Sequence, residues 1–322
     1  MPEMNGGRWW AVALAEAVKG DKALAVTCEG EQLALFRNEA GEVFALEDRC
    51  PHRRVPLSPG PVKANGLQCP YHGWTFDGAS GVCSDIPNLR RDEKVPARYA
   101  ARAYPAIECN GFIHVWRGEG RPHGELPCFG HQALGPERTG VAVVGLALHD
   151  YLDVMLDGPE CLLRFPGVQI TDFFLGDPRR QGRHLVLDRG AVWKGKGPGP
   201  AFVRDYPLWL RTRVPLDGGD IQVELMTADE VLLVSIVIAA SANRRGTTSL
   251  CWRGFQRRNP VSATPLKWRL RQAAGMPLFD VFGAVDGRAV AAVEVAPSIE
   301  RHAAVAASAP PNPPTFLKKS AA

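Results

Sequence analysis

Short apolar runs broken by turn residues dominate the first third of the chain. Trp9-Trp10-Ala11-Val12-Ala13-Leu14 opens it, Leu33 to Arg37 and Val43 to Leu46 follow around the turn-like Asn38-Glu39-Ala40-Gly41, and Phe112 to Trp116 closes it. Runs of this length with such boundaries predict antiparallel strands, and hence an all-β first domain over residues 1–117. His114, between Ile113 and Val115, reads as an ordinary strand side chain. Residues 118–138 are polar and rich in Gly and Pro, so they read as a linker; their His123, Cys128 and His131 fit no compact metal motif.

Beyond the linker the pattern mixes periods. Gly140 to Leu148 predicts a strand running into a short helix, His149 to Leu156, which Gly158-Pro159 breaks because the residue before a proline avoids the α region. Leu185 to Leu187, Ile221 to Leu225 and Val231 to Ala239 read as strands, and helical pattern returns at Thr264 to Ala274 and Gly287 to Glu294. The class is therefore α+β, with a second domain over 139–303. Residues 304–322, proline-rich from Ala309 to Pro314, read as an extended or disordered tail.

At 322 residues, 45% apolar and 22% charged, the chain has material for two cores. The most apolar run, Val231 to Ala240, is flanked by charges and too short to span a bilayer. Met1 to Asn5 lacks the basic start and apolar core of a secretion signal, so the expected location is the cytoplasm. Eight scattered cysteines then suggest reduced thiols and metal ligation instead of a disulfide framework. The net charge of +4 is mild, and no basic stretch is interleaved with aromatics, which argues against nucleic-acid binding. Arginine pairs such as Arg90-Arg91 and Arg179-Arg180 read as solvated surface.

The chemistry concentrates between Cys50 and Pro87. Cys50-Pro51-His52-Arg53-Arg54 and Cys69-Pro70-Tyr71-His72-Gly73-Trp74 place one thiolate and one imidazole on each of two loops. Zinc accepts two cysteines and two histidines, but its motifs usually pair like with like. One mixed pair per loop favours an iron-sulfur centre in which cysteines hold one iron and histidines the other. Pro51 and Pro70 stiffen the loops, Gly73 and Gly81 permit close backbone approach, and Tyr71 and Trp74 are placed to shield a cluster.

Together with Leu57-Ser58, these motifs resemble the Rieske domain of bacterial Rieske non-haem iron oxygenases. The resemblance implies an all-β Rieske [2Fe-2S] domain followed by a helix-grip (START-like) catalytic-type domain. It makes Cys50, His52, Cys69 and His72 the ligands of a [2Fe-2S] cluster. Cys83 matches a family position that binds no metal and reads as a small buried thiol.

The resemblance also implies a mononuclear iron held by two histidines and a carboxylate, in a segment Asp-x-x-x-Asp-x-x-His-x-x-x-x-His. Here Asp153 and Asp157 match, but Glu160 and Phe165 stand at the histidine positions. A phenyl ring has no lone pair to donate. Asp286 corresponds to the carboxylate, and Asp157 to the residue bridging this site to a Rieske histidine of the neighbouring subunit. His149 could share a helix face with Asp153 and substitute as a ligand. A site of Asp157, Glu160 and Asp286 alone would be oxygen-rich and suited to Mg or Mn.

The expectation is thus a cluster-bearing redox subunit without mononuclear iron. It would take electrons from a ferredoxin or flavin reductase, with Arg53-Arg54 steering an acidic donor, and form a homotrimer or a mixed trimer with an active paralogue. The alternatives are an oxidoreductase, a monooxygenase or demethylase (or a redox-neutral catalyst) acting on a small aromatic or heterocyclic compound through an unusual carboxylate-rich site, and a cluster-containing binding or sensing protein.

Overall fold

The computed structural model describes residues 7–284, apart from 88, 91–92, 94, 124–125, 127–134, 136, 195–206, 217–218, 244–245, 260 and 262–263, and apart from the side chains of 172–174. The expected helix at Gly287 to Glu294, the tail 304–322, Asp286 and much of the linker, with Cys128 and His131, lie outside the described residues. The fold is α+β and mostly strand, with two α-helices among the described residues, α1 (Leu148–Asp157) and α2 (Leu266–Ala273). Contacts divide the chain into two compact units. One comprises Met1–His131, Thr139–Leu148 and Ile238–Trp252; the other comprises Gln132–Arg138, His149–Val237 and Arg253–Ala322.

In the first unit, strands Leu24–Cys28, Glu31–Arg37, Val43–Glu47 and Ala103–Tyr104 form an antiparallel sheet in that order. The hairpin after Cys28 turns on Glu29 and Gly30, with φ of 48° and 76°. Two positive φ values in a two-residue loop match the right-handed twist of the flanking strands. Asn110-Gly111 repeats the device at φ 49° and 77° between Ala106–Cys109 and Phe112–Arg117. Strand Arg8–Leu14 completes that second sheet, with Trp9 opposite Trp116.

Glu31–Arg37 is buried on both sides, because its side chains alternate. Leu33 and Leu35 pack with Trp10, Ile113 and Val115, whereas Ala34 and Phe36 pack with Leu46, Leu57, Leu67 and Phe76. The second cluster also contains Cys50, Cys69 and Cys83. Each fully buried Leu or Phe contributes about 1.5–3 kcal/mol. The Cys50 and Cys69 loops therefore stand on a well-packed apolar platform, beside the small sheet of Val62–Lys63, Gly66–Gln68, Thr75–Asp77 and Cys83–Asp85.

Among the described residues the large sheet has eight strands, one of which, Arg179–Gln181, pairs only with His184–Trp193. Val168–Leu175, His184–Trp193, Leu208–Pro215 and Gly219–Thr227 run antiparallel in that order, and the sheet continues through Leu232–Ala242 and Thr248–Gln256 to Glu137–Val144 at one edge. Leu208, Leu210, Thr212 and Val214 are buried while the alternate Trp209, Arg211 and Arg213 are half-buried, the period of a strand with one apolar face. The strand expected from Gly140 starts at Glu137, and α1 and α2 lie within two residues of the expected helices. Among the described residues no helix is long and apolar enough to cross a membrane.

One expectation about cysteine is corrected. Cys109 is disulfide-bonded, while Cys28, Cys50, Cys69, Cys83, Cys161 and Cys251 are free thiols. Separation along the chain says nothing about which sulfurs meet in space.

Candidate metal centre

The two cysteine loops are built to one plan. In each, the cysteine N–H donates to the carbonyl five residues on, Cys50 to Val55 at 2.8 Å and Cys69 to Trp74 at 2.7 Å. In each, the cysteine carbonyl accepts from the residue four on, Arg54 at 2.8 Å and Gly73 at 3.1 Å. The residue that closes the turn is left-handed in both, with φ 61° at Arg54 and 72° at Gly73. Glycine adopts this conformation without steric cost, whereas arginine does not.

Three hydrogen bonds from Asp48 fix the far end of the first loop. Its carboxylate accepts from the Leu57 N–H at 2.6 Å, the Ser58 N–H at 2.7 Å and the Ser58 hydroxyl at 2.7 Å. The loops also brace each other. Gln68 donates through its backbone to the Pro61 carbonyl at 3.0 Å and through its side chain to the Gly73 carbonyl at 3.1 Å. A Cβ on Gly60 would sit 1.8 Å from the Gln68 carbonyl oxygen, so only glycine permits this approach.

The bracing brings the four expected donors together in two pairs. Cys50 and Cys69, 1% and 2% exposed, are buried neighbours in one apolar cluster. Burial raises the Cys50 thiol above its ordinary value. The Nδ1 atoms of His52 and His72 lie 3.1 Å apart. Two nitrogens bound tetrahedrally to one metal at about 2.1 Å would be separated by about 3.4 Å, so this pair is set for one atom. Partial desolvation, then His72 and Arg53, lower the pKa of His52, which favours the neutral imidazole that a metal needs.

Among the described residues no group of three or more His, Cys, Asp or Glu side chains converges on a single ion. A lone zinc would require four donors around one point. Two thiols in one pair and two imidazoles in another instead fit a two-metal group, with sulfur inside and nitrogen at the surface. Aromatic rings cover the imidazoles: Trp74 stacks on His52 at 4.4 Å and 5°, and Tyr71 on His72 at 3.9 Å and 27°. Cys83, buried nearby, donates to the Asp85 carbonyl at 3.6 Å and has its pKa raised to about 11, mainly by burial, as an inert thiol should.

The segment around α1 is assembled differently. Asp157 ends the helix with its side chain 8% exposed. Gly158 and Pro159 then turn the chain into a short 3₁₀ segment that leaves Glu160 exposed, and Phe165 is buried at 2% exposure. His149 is bound to Asp153, Nδ1 to Oδ2 at 3.1 Å, with its ring mostly exposed. His149, the substitute ligand that the sequence offers, is thus paired with Asp153.

A residue that sequence reasoning missed sits at the end of this helix. Arg189, 3% exposed, donates through Nη2 to the carbonyls of Leu156 at 2.8 Å and Asp157 at 2.6 Å. The same nitrogen is 4.0 Å from the Asp157 carboxylate. A guanidinium here satisfies terminal carbonyls and neutralises the negative end of the helix dipole. It also places a fixed positive charge beside the carboxylate that the resemblance assigns to the bridge between subunits. The signal was in the sequence, as a charged pair, Asp188-Arg189, inside the apolar run Leu185 to Trp193.

Comparison with known proteins bears on both regions. The Rieske [2Fe-2S] domain family matches residues 8–105. The chain is 40% identical over 118 residues to cholesterol 7-desaturase nvd of Hemicentrotus pulcherrimus, covering 36% of this chain and 25% of that protein. It is 34% identical over 196 residues to oxidoreductase NdmD of Pseudomonas putida, covering 60% and 32%. It thus matches about a quarter to a third of the length of these curated relatives. Among solved structures, dicamba monooxygenase bound to dicamba aligns with a TM-score of 0.63 at 20% identity, over 97% of this chain and 92% of that one. The fold is shared over nearly the whole chain, while the family match covers residues 8–105.

Proposed function

With a chain that is Rieske-oxygenase-like, built on a Rieske [2Fe-2S] domain and on the fold of the oxygenases, we propose a redox subunit that relays single electrons without a mononuclear iron of its own. Cys50 and Cys69 would hold one iron of the cluster, and His52 and His72 the other. When bound, the cluster supplies reversible one-electron storage, at a potential raised by neutral imidazole ligands. The buried thiols and the apolar platform keep water from the sulfur side. The half-exposed His52 and exposed His72 keep the nitrogen side within reach of partners.

The observation that carries the reading is Arg189. An iron(II) site needs lone pairs and a negative or neutral pocket. The histidine positions hold an exposed Glu160 and a buried Phe165, and Asp157, the bridging position beside them, faces a buried cation at 4.0 Å. A divalent cation brought to Asp157 would meet that guanidinium in a region of weak screening. The residues present do not fit a mononuclear iron.

A redox subunit without its own oxygen chemistry needs an acceptor. We assign that role to a neighbouring subunit whose histidines are intact, in a trimer joined where the resemblance puts Asp157 against the His72 loop. The electron donor is a ferredoxin or a flavin reductase. Metal analysis of the anaerobically purified protein tests the reading: two irons per chain support it, and a third would reject it. Oxygen uptake by the chain alone and co-assembled with a histidine-intact paralogue tests the assembly. Substrate turnover by an isolated monomer would favour an enzyme with an unusual site.

A further inference from the structure

The two cluster histidines have different surroundings, and the difference separates two ways of reaching them. His72 is exposed, and the ring stacked on it, Tyr71, is 61% exposed. A partner touching that side meets the ligand almost directly. His52 instead lies under Trp74, stacked nearly parallel to it at 4.4 Å and 5°. The edge of Trp74 meets Tyr99 at 5.1 Å and 82°. Above Tyr99 sits the exposed Arg98, its guanidinium carbon 4.8 Å from the ring centre and Nη2 3.3 Å from the phenol oxygen.

Four side chains thus make one unbroken line from an imidazole to a surface cation. Trp74 and Tyr99 are held by the apolar cluster that holds Cys50 and Cys69, so the line is fixed relative to the thiols. Electron tunnelling weakens steeply with every gap between atoms and is best sustained through packed ones. Aromatic rings in stacked and edge-to-face contact provide such packing without strain. At the surface, a cation held over a ring is available to an anionic partner.

We propose that Arg98, Tyr99 and Trp74 form the entry path by which a bulky acidic one-electron donor reduces the centre through His52, leaving the His72 and Tyr71 side free for the acceptor. One electron leaves the donor and one enters the centre, and no bond is made or broken. Trp74 and Tyr99 are positioning residues for this transfer. The assignment rests on the redox-subunit reading for its need of two separate partners, but not on the absence of a mononuclear iron.

The test uses the loaded full chain, an acidic [2Fe-2S] ferredoxin reduced beforehand as the bulky probe, and dithionite as a small one that can reach His72 directly. Stopped-flow absorbance follows reduction by each. Tyr99→Leu and Trp74→Leu should slow reduction by ferredoxin several-fold with no change for dithionite, and Trp74→Phe should restore most of the rate. Arg98→Gln should lower the ferredoxin rate about tenfold at low ionic strength, and the difference should vanish in high salt. Tyr71→Ala should slow reduction by ferredoxin far less than Tyr99→Leu does. An intact visible spectrum and an unshifted midpoint potential in each variant show that the centre itself is undisturbed; where Trp74→Leu loses the cluster, Tyr99→Leu decides. Wild-type ferredoxin rates in Tyr99→Leu, or equal slowing in Tyr71→Ala, would overturn the proposal. A third iron per chain would reject the redox-subunit reading and leave this result standing.

Discussion

Arg54 and Gly73 occupy the same station of two matching loops. Each donates its N–H to the cysteine four residues back, and each is left-handed, at φ 61° and 72°. One loop meets the requirement with glycine and the other bears the cost of a side chain. Arg54→Gly should therefore raise stability by up to about 1 kcal/mol, the steric penalty being partly offset by the extra freedom of an unfolded glycine. Gly73→Ala should cost about 1–2 kcal/mol from the backbone alone, and its Cβ would also stand 2.8 Å from Cγ of Pro87. Denaturant unfolding of the two variants against wild type measures both changes, and a destabilising Arg54→Gly would contradict the steric account.

The ligand assignment predicts colour. Protein purified without oxygen should be red-brown and, when reduced, give a Rieske-type EPR signal. Cys69→Ser and His72→Ala should each lose it. A colourless protein with one zinc per chain would sink the assignment.

Removing Arg189 should do two things at once. It removes the donor to the carbonyls of Leu156 and Asp157, and it takes away a cation 4.0 Å from the Asp157 carboxylate. Arg189→Met should thus lower stability by about 3 kcal/mol, and adding Asp157→Asn should recover part of the loss because the uncompensated charge is gone. Full additivity of the two substitutions in chemical denaturation would show that the residues do not interact.

Restoring Glu160→His and Phe165→His should not by itself recover a mononuclear iron, because position 160 is exposed and Arg189 remains. Iron content should stay at two per chain in that double variant. Three per chain would show that Arg189 is no barrier.

The acid limb of stability should depend on Glu31. Its carboxylate accepts from Arg117 Nη1 at 2.7 Å and the Tyr104 hydroxyl at 2.7 Å. The bond from Arg117, foremost, holds its pKa below the ordinary value despite partial burial. A carboxylate depressed in the folded state stabilises it above the unfolded pKa, and that contribution disappears as pH falls through the folded one. Glu31→Gln should accordingly narrow the stability gap between pH 7 and pH 3. An unchanged gap would rule out the ion pair as its source.

What the sequence made legible was local. Cys50-x-His52 and Cys69-x-x-His72 announce their chemistry within a few residues, because ligand spacing acts at short range. Glu160 and Phe165 were equally readable as departures from a pattern. For Arg189 the sequence showed only that a charged pair interrupts an apolar run, not what it meets, since its partners lie more than thirty residues earlier. Nor does anything in Arg53-Arg54 tell which arginine adopts the left-handed turn. The stacking of His52 on Trp74 joins two loops, and only tertiary structure brings them together.

The close pass of Gly60 over the Gln68 carbonyl bears on how the protein is made. Asp48, Gln68 and the paired turns hold both jaws of the centre by hydrogen bonds that belong to the polypeptide, so their shape does not wait on metal–ligand bonds. In a zinc finger the metal drives folding, and chelation unfolds the chain. Here the hydrogen bonds that shape the jaws are the polypeptide's own, so the expected order is the reverse: chelating the cluster should leave the chain folded, and the empty jaws should accept the cluster again.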